Sequence, residues 1–279
     1  MAFIRIRDTL YDLSIPRIMG IVNITPDSFH SGSRAEDREA IRIKVAGMRD
    51  WGVDIIDVGG YSSRPGAKDV AEEEEAERVS AALEVIRNDF PELIVSVDTY
   101  RSGVAEMAVK KYGADIINDI YAGKGDDRMQ SLISGLNIPV IVMHMKGTPA
   151  NMQENAVYDD VVSEVIVWLS ERVNSYRLSG VTDIIVDPGF GFGKKISHNF
   201  ELMAALDQFS VLGCPVLAGI SRKSMIWSTL GVDPGSQEAL AGTIALNSVA
   251  LLKGASVIRV HDVREAYQTV RMVQRVREA

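Results

Sequence analysis

Short apolar runs that stop at a polar residue or a glycine recur along the chain, at Ile18–Asn23, Ile55–Val58, Leu93–Asp98, Ile116–Asp119, Val140–His144, Asp183–Asp187, Val216–Gly219 and Val257–Val260. They are rich in Ile and Val and nearly uninterrupted, which is the pattern of strands buried on both faces in a parallel sheet. Between them lie stretches with helical spacing, at about 35–51, from 72 onward, and at 102–112, 129–136, 157–178, 199–209, 237–253 and 263–277. Val157–Leu178 has apolar residues at 157, 161, 165, 169 and 173, a stripe that reads as packing. The four glutamates Glu72–Glu75 open a helix. There they suit the helix dipole and otherwise read as a solvated face.

Strand followed by helix, eight times in succession, predicts an α/β protein built as a single (β/α)8 TIM barrel. The 279 residues suit that fold, for which roughly 250 is typical, and no linker splits residues 1–279 into more than one domain. A doubly wound dinucleotide fold would carry its G-x-G-x-x-G turn after the first strand, and no such turn is there. Phe3–Arg7 alternates apolar and basic residues and predicts one arm of a short N-terminal hairpin ahead of the barrel.

In such a barrel the carboxyl ends of the strands share one face, where ligands bind. Asn23, Asp98, Asn118, Asp119, His144, Asp187, Arg259 and His261 all fall at those ends. The most informative ending is IIVDPGFGFGK at 184–194. Pro188 cannot continue the strand that ends at Asp187, and alternating glycines allow tight turns or close ligand approach. Turn-rich stretches after the first, second and fifth strands, TPDSFHSGS, GGYSSRPGA and MKGTPANMQEN, are suited to covering a site.

Composition narrows the classes. Hydrophobic content of 46% with 24% charged residues is ordinary for a globular protein. A net charge of −8 argues against a nucleic-acid partner and requires any anionic ligand to be held by locally clustered cations. MAFIRIRDTL resembles neither a signal peptide nor a membrane span, so the expectation is a cytoplasmic protein with no membrane partner. The lone Cys214 reads as a small core thiol, and the four histidines lack metal-ligand spacing.

The stretches MGIVNITPDSF, DVGGYSSRPGA, SVDTYR, IIND, MHMKGTP, DPGFGFGK, GISRKS and RVHD together resemble the dihydropteroate synthase family, in that family's order and over nearly the whole chain. The resemblance implies condensation of (7,8-dihydropterin-6-yl)methyl diphosphate with 4-aminobenzoate in folate biosynthesis. It implies pterin binding by Asp98, Asn118, Met143, Asp187, Lys223 and Arg259. Pyrophosphate binding falls to Asn23, Arg64, Arg259 and His261, with Mg2+ as cofactor and Asn23 as its ligand. For 4-aminobenzoate it implies Phe29, Ser63, Arg64, Pro65, Phe192, Lys223 and Ser224, with Asp98, Lys223, Arg259 and His261 carrying the catalysis. Thr25, Asp27 and Ser28 lie in a loop expected to be mobile. The chemistry is consistent with these types, since a pterin edge offers donors that carboxylates accept and a carbonyl that a cation meets. Family members are typically homodimers, for which Ala239, Ala241, Ala245 and Ala250 allow close helix packing, and sulfonamides mimic their 4-aminobenzoate. Two departures stand out: Tyr61 and Ser31 replace acids found in many members. The alternatives are a folate-dependent methyltransferase of the same barrel family and a noncatalytic pterin-binding homologue.

Overall fold

The computed structural model describes residues 3–24, 34–62, 70–149, 151–152 and 156–279. Strands β1 (Phe3–Ile6) and β2 (Thr9–Asp12) form the expected antiparallel hairpin, with Phe3 opposite Asp12 and Ile6 opposite Thr9. Eight parallel strands follow: β3 (Arg17–Asn23), β4 (Ile55–Gly59), β5 (Ile94–Asp98), β6 (Ile116–Asp119), β7 (Val140–Met143), β8 (Ile184–Asp187), β9 (Leu217–Ala218) and β10 (Val257–Val260). Their order in the sheet is β8, β7, β6, β5, β4, β3, β10, β9. The sheet closes where Val186 bridges Val216 and its amide donates to the Pro215 carbonyl at 2.9 Å, making the predicted barrel.

Around it lie α1 (Arg34–Asp50), α2 (Glu72–Asp89), α3 (Ser102–Tyr112), α4 (Met129–Leu136), α5 (Val161–Leu178), α6 (Ile196–Ala204), α7 (Ser224–Leu230), α8 (Gln237–Leu252) and α9 (Val263–Arg277). Alternate strand residues face opposite sides. Val22, Ile56, Val58, Val95, Val97 and Ile258 pack outward against the helices. Met19, Ile55, Ile116, Ile141, Ile185, Leu217 and Val257 point inward at the amino end, where Ile4, Ile6 and Leu13 from the hairpin segment close over them. The hairpin therefore plugs one end of the barrel, and the other end is left for chemistry.

Several boundaries differ from the sequence expectation by a residue or more, and three of them have a clear local reason. Helix α5 starts at Val161 because the Asp160 carboxylate accepts from the amides of Val162 and Ser163, both at 3.0 Å. Val157 falls before that cap and is 65% exposed, outside the stripe assigned to it. The helix expected at 199–209 is divided into α6 and a 3₁₀ turn at Leu206–Leu212, which buries Leu206, Phe209 and Leu212. Strand β9 keeps only Leu217–Ala218 between Pro215, which has no amide to donate, and Gly219.

One charge assignment is corrected. Glu75, read as part of a solvated acidic face, is fully buried and paired with Arg101. It lies on the inner side of α2, where a carboxylate needs a cation to offset the loss of water.

Candidate active site

Asp98 and Asp187 end β5 and β8, Asn118 is the last residue but one of β6, all three share the inward parity, and their exposures are 7%, 5% and 7%. Arg259, inward on β10, donates from Nε to Asp57 Oδ2 at 2.6 Å and from Nη2 to Asp98 Oδ2 at 2.8 Å. Asn118 Nδ2 donates to the same Asp57 oxygen at 3.2 Å. Four strands thus meet in one hydrogen-bonded cluster at the carboxyl end of the barrel. Asp187 lies on the other side of the floor, where a side chain on Gly219 would begin 3.8 Å from Asp187 Oδ2 and 3.9 Å from Arg259 Cβ.

The glycine-rich turn after β8 is held from two directions. The Gly189 amide donates to Asp187 Oδ1 at 2.7 Å, which orients the carboxylate. A Cβ at Gly189 would stand 1.9 Å from the His144 carbonyl, and Gly189 has φ +71, so both contact and backbone require glycine there. Lys194, only 3% exposed, donates to the carbonyls of Gly189 at 2.9 Å and Phe192 at 3.0 Å, and lies 2.9 Å from His144 Nδ1. It ties the turn to the exit of β7. Lys223 donates to the Phe190 carbonyl and lies over the Phe192 ring, 4.3 Å from its centroid. Ser224 follows as the first residue of α7.

The remaining wall is apolar. Met143, in register with Asp187, clusters with Ile120, Met145 and Met152, and Tyr61, Tyr121 and Phe192 pack against them. Tyr61 meets Tyr100 edge-on at 5.6 Å, and its hydroxyl stands 3.5 Å from Asp98 Oδ1. Asn23 ends β3 beside Gly59, where a Cβ would begin 3.2 Å from Asn23 Oδ1 and 3.6 Å from Asp98 Cβ. His261 follows β10, with its Nδ1 3.0 Å from Ser221 Oγ and its amide donating to that oxygen at 3.2 Å.

Burial dominates the electrostatics. It pushes Asp98 up to about 7 against the opposing charge of Arg259, with Asp57, Glu75 and Asp119 adding to the rise. Asp187 is raised for the same reason, opposed by Lys223 and the Gly189 amide. Lys223 is lowered by burial to about 8, with Asp187 opposing. For Arg259 burial also works against the charge, but Asp57, Asp98 and Asp187 more than offset it, so the guanidinium stays charged.

Asp98, Asn118, Asp187, Lys223 and Arg259 are therefore brought together, with Met143 and Phe192 on the wall and Asn23, His261 and Ser224 at the rim. Thr25, Asp27, Ser28, Phe29, Ser63, Arg64 and Pro65 lie outside the described residues. Two strand endings leave the common face. Asp119 points the other way from Asn118 and accepts from the amides of Tyr121 at 2.9 Å and Gly123 at 2.6 Å. His144 is buried against Trp168, with ring centroids 5.0 Å apart, and faces Lys194. Burial and the Lys194 charge lower it to about 2. Sequence reasoning missed Asp57, Tyr61 as a wall residue, and Lys194. For Asp57 a signal exists: it is two residues from Ile55 and two from Gly59, which gives it the inward parity.

The profile described as pterin-binding enzyme matches residues 19–261. The dihydropteroate synthase of Escherichia coli strain K12 is 42% identical over 269 residues, covering 95% of this chain and 93% of that protein. That of Haemophilus influenzae is 41% identical over 254 residues, covering 90% of each. Among solved structures, the Yersinia pestis dihydropteroate synthase in a sulfonamide drug complex superposes with a TM-score of 0.91 at 35% identity, covering 99% of this chain and 100% of that one. The Xanthomonas albilineans dihydropteroate synthase with 4-aminobenzoic acid also has a TM-score of 0.91, at 37% identity over 99% and 98% of the two chains. With matches of this extent and an inward polar cluster where the motifs fall, the chain belongs to the dihydropteroate synthase family of pterin-binding enzymes.

Proposed function

We propose that this site condenses (7,8-dihydropterin-6-yl)methyl diphosphate with 4-aminobenzoate, giving 7,8-dihydropteroate and diphosphate. The observation that carries the reading is the convergence of Asp98, Asn118 and Asp187 with two cations, Arg259 and Lys223, in a barrel mouth that has one apolar wall. Asp187 accepts from the amino and ring N–H edge of the pterin, Asn118 and Asp98 serve the other ring nitrogens, and Lys223 donates toward the carbonyl. Arg259 lies along the ring and turns its remaining N–H groups to the diphosphate with His261.

In the reaction the bond between the pterin methylene and the diphosphate oxygen breaks, and its electron pair leaves with the diphosphate. The arylamine nitrogen forms the new bond to the methylene and releases a proton. Carbon–oxygen cleavage leads, so positive charge develops on the pterin methylene. The Asp98 carboxylate stabilises that charge, and removing one such preorganised group costs about 3 kcal/mol of barrier.

Asn23 fits a magnesium ion. Glycine at 59 keeps its amide oxygen uncovered, and one such oxygen, completed by substrate oxygens and water, is a set Mg2+ commonly takes. Among the described residues no group of three acidic, histidine or cysteine side chains offers a more fully coordinated alternative. The ion would supply positive charge to the diphosphate. Phe29, Ser63, Arg64 and Pro65 complete the arylamine side with Phe192 and Ser224, on the strength of their motifs.

Pyrophosphate release on mixing the two substrates with Mg2+ tests the reading, and its absence, with the protein folded, would sink it. Methyl transfer from methyltetrahydrofolate, assayed in parallel, is expected to be undetectable. We also infer a cytoplasmic homodimer formed by one barrel domain per chain. No helix among the described residues is long and apolar enough to cross a membrane. On α8, Ala239 and Ala250 are spent inside the subunit, whereas Ala241, Ala245, Val249 and Leu252 are exposed in a stripe that supports pairing. Light scattering of the purified protein reads the dimer directly.

A further inference from the structure

Asp57, in the barrel mouth, has no exposed surface, and the reaction outlined above gives it no task. One of its oxygens, Oδ2, accepts from both Arg259 Nε at 2.6 Å and Asn118 Nδ2 at 3.2 Å. The other, Oδ1, is buried without a hydrogen-bond partner among the described residues. So is Ser96 Oγ, from the residue in register with Asp57 on the neighbouring strand. A carboxylate with no exposed surface that holds two side chains of the site through one oxygen has the geometry of a support.

We propose that Asp57 is a positioning residue that sets which hydrogen-bonding groups Arg259 and Asn118 present to the pterin and its diphosphate. The chemistry follows from acceptor-only Oδ2. It engages the Nε–H of Arg259 while Asp98 takes one N–H from Nη2, so two of the five donors are committed and the rest of the fork is aimed by a two-point hold. Asn118 has to turn its amide nitrogen toward Asp57, because the flipped amide would set its carbonyl oxygen against a carboxylate. This selects which side of the amide the ligand meets. Without Asp57 the guanidinium keeps a single pivot at Asp98, and the Asn118 amide is free to flip.

The inference rests on the proposed pterin reading, and the experiment separates the two. Wild-type enzyme and the Asp57→Ala, Asp57→Asn, Arg259→Met and Asp57→Ala/Arg259→Met variants are titrated calorimetrically with the pterin substrate and assayed for pyrophosphate release. Asp57→Ala is expected to lose about 10- to 100-fold in pterin affinity. The double variant is expected to lose clearly less than the sum of the two single losses, because the Arg259 share of the Asp57 effect is already gone and only the Asn118 share remains.

Asp57→Asn keeps an oxygen for both donors and removes only the charge. It should therefore retain most of the affinity and move the acidic limb of kcat/KM to lower pH. Asp98 is faced by Asp57 from β4, Arg259 from β10, Glu75 from α2, Asp119 from β6, Tyr61 after β4 and Lys223 after β9, and Asp57 is one of the charges that disfavour its ionisation. Folded Asp57→Ala with unchanged pterin affinity, or additive losses in the double variant, would overturn the proposal. If Asp57→Ala does not fold, an Asp57→Asn variant that loses as much pterin affinity as Arg259→Met overturns it. A wild type that neither binds pterin nor releases pyrophosphate would instead overturn the functional reading beneath it.

Discussion

The two ends of the barrel interior are built by the same strands and differ in nearly everything else. At the amino end Met19, Ile55, Ile116, Ile141, Ile185, Leu217 and Val257 pack under Ile4, Ile6 and Leu13, all buried and without a charge. Two or four residues further along, the inward positions become Asn23, Asp57, Asp98, Asn118, Asp187 and Arg259. A buried isoleucine contributes stability by leaving water, whereas a buried carboxylate costs stability unless it is paired. One end thus carries the fold and the other spends part of that stability on preorganised charge. Open volume by itself does not mark a site. A cavity of about 630 Å3 lies at the amino end, lined by residues including Phe3, Cys214, Lys253 and Ser256. Its Lys253 is already paired with Asp207 at 3.1 Å, and none of its lining side chains is among the buried groups left without a partner. Cys214 there is half-buried, with its thiol pushed up by burial.

The comparison is most easily broken at the apolar end. Ile141→Ala or Leu217→Ala should each cost about 2–5 kcal/mol of stability. The corresponding fall in Tm is roughly 5–15 °C, with KM for the pterin substrate unchanged below the transition. Differential scanning calorimetry beside steady-state kinetics checks this, and a raised KM at wild-type Tm would erase the division between the ends.

At the polar end the effect should move from stability to binding. On the proposed reading Asp187→Asn places a donor where the pterin presents donors, a buried mismatch that costs about 1–3 kcal/mol of affinity. Its Tm should be at or above that of the wild type, because burial already disfavours the charge the substitution removes. Unchanged pterin binding would take Asp187 out of the site.

The pH dependence sharpens the same contrast. In the proposed reaction Asp98 at about 7 must lose its proton to stabilise a cationic methylene, and Lys223 at about 8 must keep its own to donate. The kcat/KM profile should therefore be a narrow bell, falling below pH 7 and above pH 8. Stability carries the opposite sign on the acid side. The folded Asp98 holds its proton up to about 7, while in the unfolded chain it releases it near pH 3.9. Its contribution is thus complete below about pH 4 and is lost as pH rises to 7. Thermal scans of Asp98→Asn against wild type should diverge over that window and coincide below it. The smallest effect belongs to the outer surface. Arg38→Ala breaks an ion pair with Glu84 whose partners are 43% and 48% exposed, and should change stability by no more than about 1 kcal/mol and leave kcat/KM unchanged.

Much of this was legible in the chain itself. Eight Ile- and Val-rich runs followed by helical stretches determined the barrel, because strand and helix periodicities are local properties of neighbouring residues. The polar strand endings and the family motifs mark Asp98, Asn118, Asp187, Lys223 and Arg259 in the sequence itself. Only the tertiary structure decided which side of each strand became the inside, and so why Asn118 joins the site while adjacent Asp119 caps a turn. It alone buried Glu75 against Arg101. It alone seated Lys194 among the carbonyls of the glycine turn, and joined Asp57 to an arginine 202 positions away. The physical reason is common to all four: pairing and desolvation depend on what the closed barrel brings within about 3 Å, and distance along the chain carries no record of it.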